Sequence, residues 1–231
     1  MWRSSDGARS SSSTTVLAIA SSPSFDPNLF DPANYNAVQL EQVFADPYRP
    51  LLNRATQGQY APGSIFKVVT MASALESGLF NTQQIYYCGH TWSGLGAAYI
   101  KYDWTSEKGY PPSGNLNIIG ALRRSCNPWF YQIGLSLHNW ADYFLPDMAR
   151  SFGLGVPTGI VGLQQDINEE VGGVLPSAEW AAAAGVLWTP ANTVHMAIGQ
   201  GEIAVTPIQM AQLYAAIGNG GTIYRPQLVH A

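Results

Sequence analysis

The chain has little charge. Asp, Glu, Lys and Arg make up 11% of its 231 residues, and lysine occurs three times, at Lys67, Lys101 and Lys108. With a net charge of −4 it lacks the basic footprint that nucleic-acid binding requires. Its only basic doublet, Arg123-Arg124, reads as a solvated helix end. Long apolar runs are missing too. None approaches the ~18 residues of a membrane span, and Met1–Thr15 is Ser-rich without the apolar centre of a signal peptide. Cysteine is limited to Cys88 and Cys126, too few for a disulfide framework. The two can pair, but two free thiols are the expectation. His90, His138, His195 and His230 are scattered, with no metal-ligand spacing, so no metal site is expected. No serine sits in a Gly-x-Ser-x-Gly elbow, which argues against a Ser-His-Asp hydrolase.

Hydrophobic residues supply 46% of the chain, enough for the core of one domain, or one domain plus a fragment. Within it, Ser64-Ile65-Phe66-Lys67 follows Ala61-Pro62-Gly63 at the start of an expected helix. Residues at i and i+3 share a helical face, so the Lys67 amine can approach the Ser64 oxygen. Serine is a weak nucleophile until a base takes its proton. Lysine becomes that base when burial or nearby positive charge lowers its pKa. The competing reading is a helix-capping serine beside a solvated lysine. Against it, only one of the three lysines has serine at i−3.

The pattern predicts a mostly helical α+β chain. Val16–Ala20 reads as a short buried strand, and Ser21–Asn36, with three prolines, as loop. Helices are expected over about 64–77, 116–124, from Pro128 onward, over about 140–152 and from Thr206-Pro207 to Gly220. A turn or two of helix is expected within 178–185. The aromatic segment 81–112 reads as short strands and loops, and 223–229 as an extended arm. Residues 40–50 are ambiguous.

A second cluster, Ser125-Cys126-Asn127, falls in the turn between two of these helices. A hydroxyl there can relay a proton between a lysine and a leaving amine. An amide there can hold both the lysine and a substrate carbonyl. A plainer reading makes Asn127 the N-cap ahead of Pro128 and Ser125 a helix-end residue.

Ser-x-x-Lys followed by Ser-x-Asn resembles the signature of penicillin-binding proteins and serine β-lactamases. The wording around both motifs is similar to class B penicillin-binding proteins of the elongation type. The similar segments are 20–28, Asn53-Arg54-Ala55, Phe152-Gly153-Leu154-Gly155, Pro157-Thr158-Gly159-Ile160, Ile198-Gly199-Gln200-Gly201, 205–211 and 215–221.

The resemblance implies a penicillin-binding protein/serine β-lactamase-like transpeptidase fold, with helices covering an antiparallel sheet. It implies peptidoglycan stem peptides ending in D-Ala-D-Ala as substrates, β-lactams as acylating mimics and no cofactor. Ser64 would be the nucleophile and Lys67 its general base. Ser125 would pass a proton to the leaving amine, and Asn127 would position Lys67 and the substrate amide. The backbone N–H of Ser64 would form half of an oxyanion hole. The implied setting is the outer face of the cytoplasmic membrane, with the cell-elongation machinery as a partner of the full-length protein.

The sequence departs from this family in two respects, the first being that Met1–Thr15 stands where the family's first strand and membrane anchor are expected. The second is that the family's third motif, Lys-Thr/Ser-Gly, is absent, and no lysine follows Lys108. The expectation is therefore a truncated fold with much of its sheet missing and its activity in doubt. Its organisation would be a Ser-rich disordered leader over 1–15 and a partial transpeptidase domain over 16–231. Two alternatives stay open. One is a class D β-lactamase or β-lactam sensor domain, which usually carries a hydrophobic residue where Asn127 stands. The other is a non-catalytic cell-wall interaction module.

Overall fold

A computed structural model describes residues 13–160, 162 and 169–228. In chain order its strands are β1 (Ser13–Thr15), β2 (Ile85–Cys88), β3 (Thr91–Trp92), β4 (Lys101–Tyr102), β5 (Gly114–Asn117) and β6 (Arg225–Gln227). Its α-helices are α1 (Ala37–Ala45), α2 (Lys67–Glu76), α3 (Trp104–Glu107), α4 (Ile118–Arg124), α5 (Asn127–Trp140), α6 (Phe144–Ser151), α7 (Ala178–Ala183), α8 (Pro190–Met196) and α9 (Pro207–Gly218). They form two compact units. One is built from Ala61–Gly155 and Gly173–Val205, and the other lies within Arg9–Tyr60, Val156–Gly172 and Thr206–Ala231.

The first unit is organised around α5. Trp129, Phe130, Ile133 and Leu137 recur at helical spacing and are fully buried or nearly so. Each such side chain contributes roughly 1.5–3 kcal/mol through burial. Helix α8 packs closely on α5 because Gly134 has no side chain. A Cβ there would lie 2.7 Å from the Ala197 Cβ and 3.1 Å from the Thr193 carbonyl oxygen. His138 Nδ1 lies 2.8 Å from Thr193 Oγ1 and adds a polar tie between the two helices. Helix α2 buries Val69, Thr70, Ser73 and Ala74, while Phe66 just before it is also buried. Gly78, at φ +73°, follows the end of α2.

Strands β2 and β5 pair antiparallel, as do β3 and β4. Their aromatic side chains rest on α5, with Tyr86 against Trp129 and Trp92 against Tyr131. Helix α4 turns Ile118 and Ala121 inward and leaves Ile119 54% exposed. The two cysteines are not free thiols. Cys88 at the end of β2 and Cys126 ahead of α5 form a disulfide. Sequence distance hid the pair: the two cysteines are 38 positions apart, and only the fold returns the chain to β2.

In the second unit, α9 begins with a reciprocal capping box between Thr206 and Gln209, with Pro207 at its first position. The Gln209 amide also donates to the carbonyls of Val156 and Gly172, each at 2.8 Å. Glu170 accepts from the backbone N–H groups of Thr158, Gly159 and Ile160 and from the Thr158 hydroxyl, closing the turn there. The ambiguous segment 40–50 falls partly in α1, which Asn36 caps.

Strand β1 pairs parallel with β6. The leader expected over 1–15 lies outside the described residues except for the three that form β1. The buried strand expected over Val16–Ala20 is not there. Leu17 is 95% exposed, and Val16, Ala18 and Ile19 line an open groove of about 350 Å³ with Ile208, Ala211 and Ala215. An apolar run signals strand propensity, but burial needs a sheet, and the hydrogen-bonded partner here is only three residues long.

Candidate active site

Pro62-Gly63 turns the chain into a 3-10 turn over Gly63–Phe66, which runs directly into α2. This places Ser64 at the surface and Lys67, three residues on, in the interior with no exposed area. The turn is braced from behind by residues 197–199. Thr70 Oγ1 donates to the Ala197 carbonyl at 2.8 Å, and the Gly63 N–H donates to the Gly199 carbonyl at 2.8 Å. Gly199 sits at φ +70°, and a Cβ on it would lie 2.2 Å from the Gly63 carbonyl oxygen. Only glycine fits both the conformation and the approach.

The opposite wall is the turn between α4 and α5. Ser125 closes α4 in the left-handed region, at φ +53° and ψ +40°, which is strained for a residue with a side chain. That conformation aims both its carbonyl and its hydroxyl at Lys67. The cap of α5 is not Asn127, as the plainer reading of the sequence had it. Cys126 is the N-cap, its sulfur accepting the Trp129 N–H at 3.4 Å, and Asn127 is the first helical residue. The Asn127 side chain is thereby free to face Lys67.

The structure brings together all four residues singled out from the sequence. Lys67 Nζ donates to the Ser125 carbonyl at 2.8 Å, to Ser125 Oγ at 2.9 Å and to Asn127 Oδ1 at 2.6 Å. These three acceptors use the three protons of an ammonium. The Phe130 ring centroid lies 5.5 Å from Nζ. Ser125 Oγ in turn lies 2.9 Å from Ser64 Oγ. The contacts form a chain from an exposed hydroxyl, through a second hydroxyl, to a buried amine. Burial pushes the Lys67 amine down to about 8, with the charge of Asp103 pulling the other way. A lysine near that value holds a useful neutral fraction at physiological pH.

One component was not singled out from the sequence. Asp103, fully buried ahead of α3, accepts the Asn127 backbone N–H at 2.8 Å. Asp103, Cys88 and Cys126 are the one cluster of potential metal ligands among the described residues. Its two sulfurs are bonded to each other, and the carboxylate is engaged by Asn127 and Thr105. The amide N–H of Ser64 has no hydrogen-bond partner among the described residues, as befits the first turn of a helix.

The profile of the penicillin binding protein transpeptidase domain matches residues 9–231. The chain belongs to this family. The transpeptidase chain is 34% identical over 216 residues to the peptidoglycan D,D-transpeptidase MrdA of Salmonella typhimurium, covering 93% of this chain and 33% of the relative. It thus spans about a third of that curated relative's length. Among solved structures, penicillin-binding protein PBP2 of Helicobacter pylori, in complex with MreC, superposes with a TM-score of 0.80 at 26% identity. That match covers 91% of this chain and 37% of the other. Penicillin-binding protein A of Mycobacterium tuberculosis, as its penicillin G acyl-enzyme, gives a TM-score of 0.73 at 31% identity, covering 92% and 45%. The class B, elongation-type resemblance and the mostly helical transpeptidase fold expected from the motifs are both borne out.

Proposed function

We propose that this transpeptidase chain carries the acyl-serine chemistry of peptidoglycan cross-linking, with Ser64 as nucleophile. The observation that supports it most is the unbroken path from Ser64 Oγ through Ser125 Oγ to Lys67 Nζ, at 2.9 Å for each step.

When Lys67 is neutral, its lone pair accepts the Ser125 proton while Ser125 takes the proton of Ser64. The Ser64 oxygen then bonds to the penultimate D-Ala carbonyl carbon of a stem peptide. The unpartnered Ser64 N–H stabilises the oxyanion. Return of the proton along the same path expels the terminal D-Ala as a neutral amine and leaves an ester. The amine of a second stem peptide attacks that ester, forming the cross-link and releasing Ser64. Asn127 holds Lys67 through Oδ1 and offers its amide N–H groups to the substrate. A β-lactam carbonyl presents the same target, as the penicillin G acyl-enzyme of the M. tuberculosis relative illustrates.

The setting proposed is the outer face of the cytoplasmic membrane, with the cell-elongation machinery as partner. The H. pylori relative's complex with MreC supports the partner. The disulfide supports an oxidising compartment. No described helix is long and apolar enough to cross a membrane.

Fluorescent penicillin tests the reading. A stable adduct on the chain, lost in Ser64→Ala, is the expected result. Rapid turnover of penicillin would favour a β-lactamase, and no labelling at all would favour a non-catalytic module.

A further inference from the structure

Asp103 is a costly residue to bury. Its side chain has no exposed area, and no lysine or arginine forms an ion pair with it among the described residues. Capping the four-residue α3 does not require this, since an exposed Asp or Ser caps equally well. The carboxylate's contacts point elsewhere. Oδ2 accepts the Thr105 hydroxyl at 2.6 Å and the Thr105 N–H at 3.2 Å. Oδ1 accepts the Asn127 N–H at 2.8 Å. The Asp103 N–H is itself fixed on the His90 carbonyl at 2.8 Å. Asn127 therefore stands between two charges, with its backbone on Asp103 and its Oδ1 on Lys67 Nζ at 2.6 Å. Two further ties hold the same turn to the same segment: the Cys88–Cys126 disulfide, and Trp104 Nε1 donating to the Arg124 carbonyl at 3.2 Å.

We propose that Asp103 is a positioning residue for the acyl-serine reaction, its buried carboxylate locking the Ser125–Asn127 turn onto Lys67 and setting that lysine's basicity. The proposal rests on the acyl-serine reading of the site. Lys67 is faced by Ser125 and Asn127 from the turn, by the Phe130 ring from α5 and by the Asp103 charge. Burial, and after it the charges of Asp103 and Glu107, drives the neighbouring Tyr131 up to about 12. Burial alone would carry Lys67 lower than about 8, and the carboxylate restrains it. Removing that charge should lower the lysine midpoint by roughly one unit.

The small number of lysines makes the test direct. In protein labelled at the lysine ε-carbon, three resonances are expected, and Lys101→Arg and Lys108→Arg identify Lys67 by elimination. The Lys67 midpoint is then read against pH in wild type and Asp103→Asn, alongside the pH profile of fluorescent-penicillin acylation. The expected result is a shift of both midpoints to lower pH in Asp103→Asn, with a plateau rate reduced about tenfold or more as the turn loosens. A purely structural role would lower the rate equally at every pH. Unmoved Lys67 and rate midpoints in Asp103→Asn, with wild type still forming its adduct, would overturn the proposal and leave the acyl-serine reading standing. A wild type that forms no adduct would overturn that reading, and the proposed role with it. If Asp103→Asn does not fold, wild type alone decides. The Asp103 carboxyl carbon resonance must move at the Lys67 midpoint, and a flat trace there refutes the coupling.

Discussion

The Oγ atoms of Ser64 and Ser125 lie 2.9 Å apart, whereas Lys67 Nζ binds Ser125 and Asn127 and makes no hydrogen bond to Ser64. In the proposed reaction the proton path from Ser64 to Lys67 therefore runs through Ser125. Ser125→Ala should slow penicillin acylation by about 10²–10⁴-fold, followed as a time course of labelling. The Ser125 carbonyl would still bind Lys67, so the melting temperature should change little. A wild-type rate in this variant would mean that Lys67 takes the Ser64 proton directly.

The lowered pKa of Lys67 sets a pH dependence. Only the neutral amine accepts a proton, so acylation should rise about tenfold per pH unit below about 8 and level off above it. Lys67→Arg, whose guanidinium stays charged, should not acylate at any pH in this range. Stability has its own sign. Burial holds the Lys67 amine at about 8 in the folded chain against an ordinary lysine value of 10.5 in the unfolded one, so between these values the unfolded chain binds more protons. Stability gained from this group should therefore rise as pH climbs from about 8 towards 10.5. Denaturant midpoints across that range check the direction.

Gly199→Ala should cost about 2 kcal/mol or more, since a left-handed conformation and a collision with the Gly63 carbonyl both oppose the methyl group. Labelling of Ser64 should fall as well, because the Gly63–Gly199 bond braces the turn that carries it. Gly218→Ala, where an added Cβ meets nothing within 4 Å, is the control and should be neutral or slightly stabilising. Paired thermal melts and labelling rates distinguish the two sites.

Replacing both cysteines by serine should destabilise the chain by about 2–4 kcal/mol. Serine at 126 can still cap α5, so the loss reports the cross-link. Wild type unfolded with a reductant should show a similar decrease in its denaturant midpoint. Equal midpoints with and without reductant would show that the sulfurs are not bonded in solution.

Much of the site was legible because its signals are local. Ser64 and Lys67 are three residues apart, and Ser125 and Asn127 only two, so neither pair depends on tertiary folding to be seen. Asp103 and the disulfide were not legible. Each depends on the aromatic segment returning to the α4–α5 turn, and nothing in residue order records that return. A faint sign was present, since Asp103 is the only acidic residue between Glu76 and Glu107. Helix α8 was overlooked although Thr189-Pro190 repeats the Thr-Pro start of α9. The plainer reading of Asn127 as a cap does not hold, because Cys126, a less usual capping residue, takes that place. Val16–Ala20 misled in the opposite direction, since its composition suits a strand while its surroundings leave it open.

The Cys88–Cys126 bond also gives the chain a topology. It closes a covalent ring around β3, β4, α3, β5 and α4. Both ends of that ring are tied together at the turn that holds Ser125 and Asn127. Ring closure costs only about 0.6 kcal/mol more for each doubling of length. The outer loops of the ring can therefore lengthen, shorten or change sequence while the cross-link keeps the turn anchored to β2. The part of the chain best suited to vary is thus enclosed by the part that must stay still.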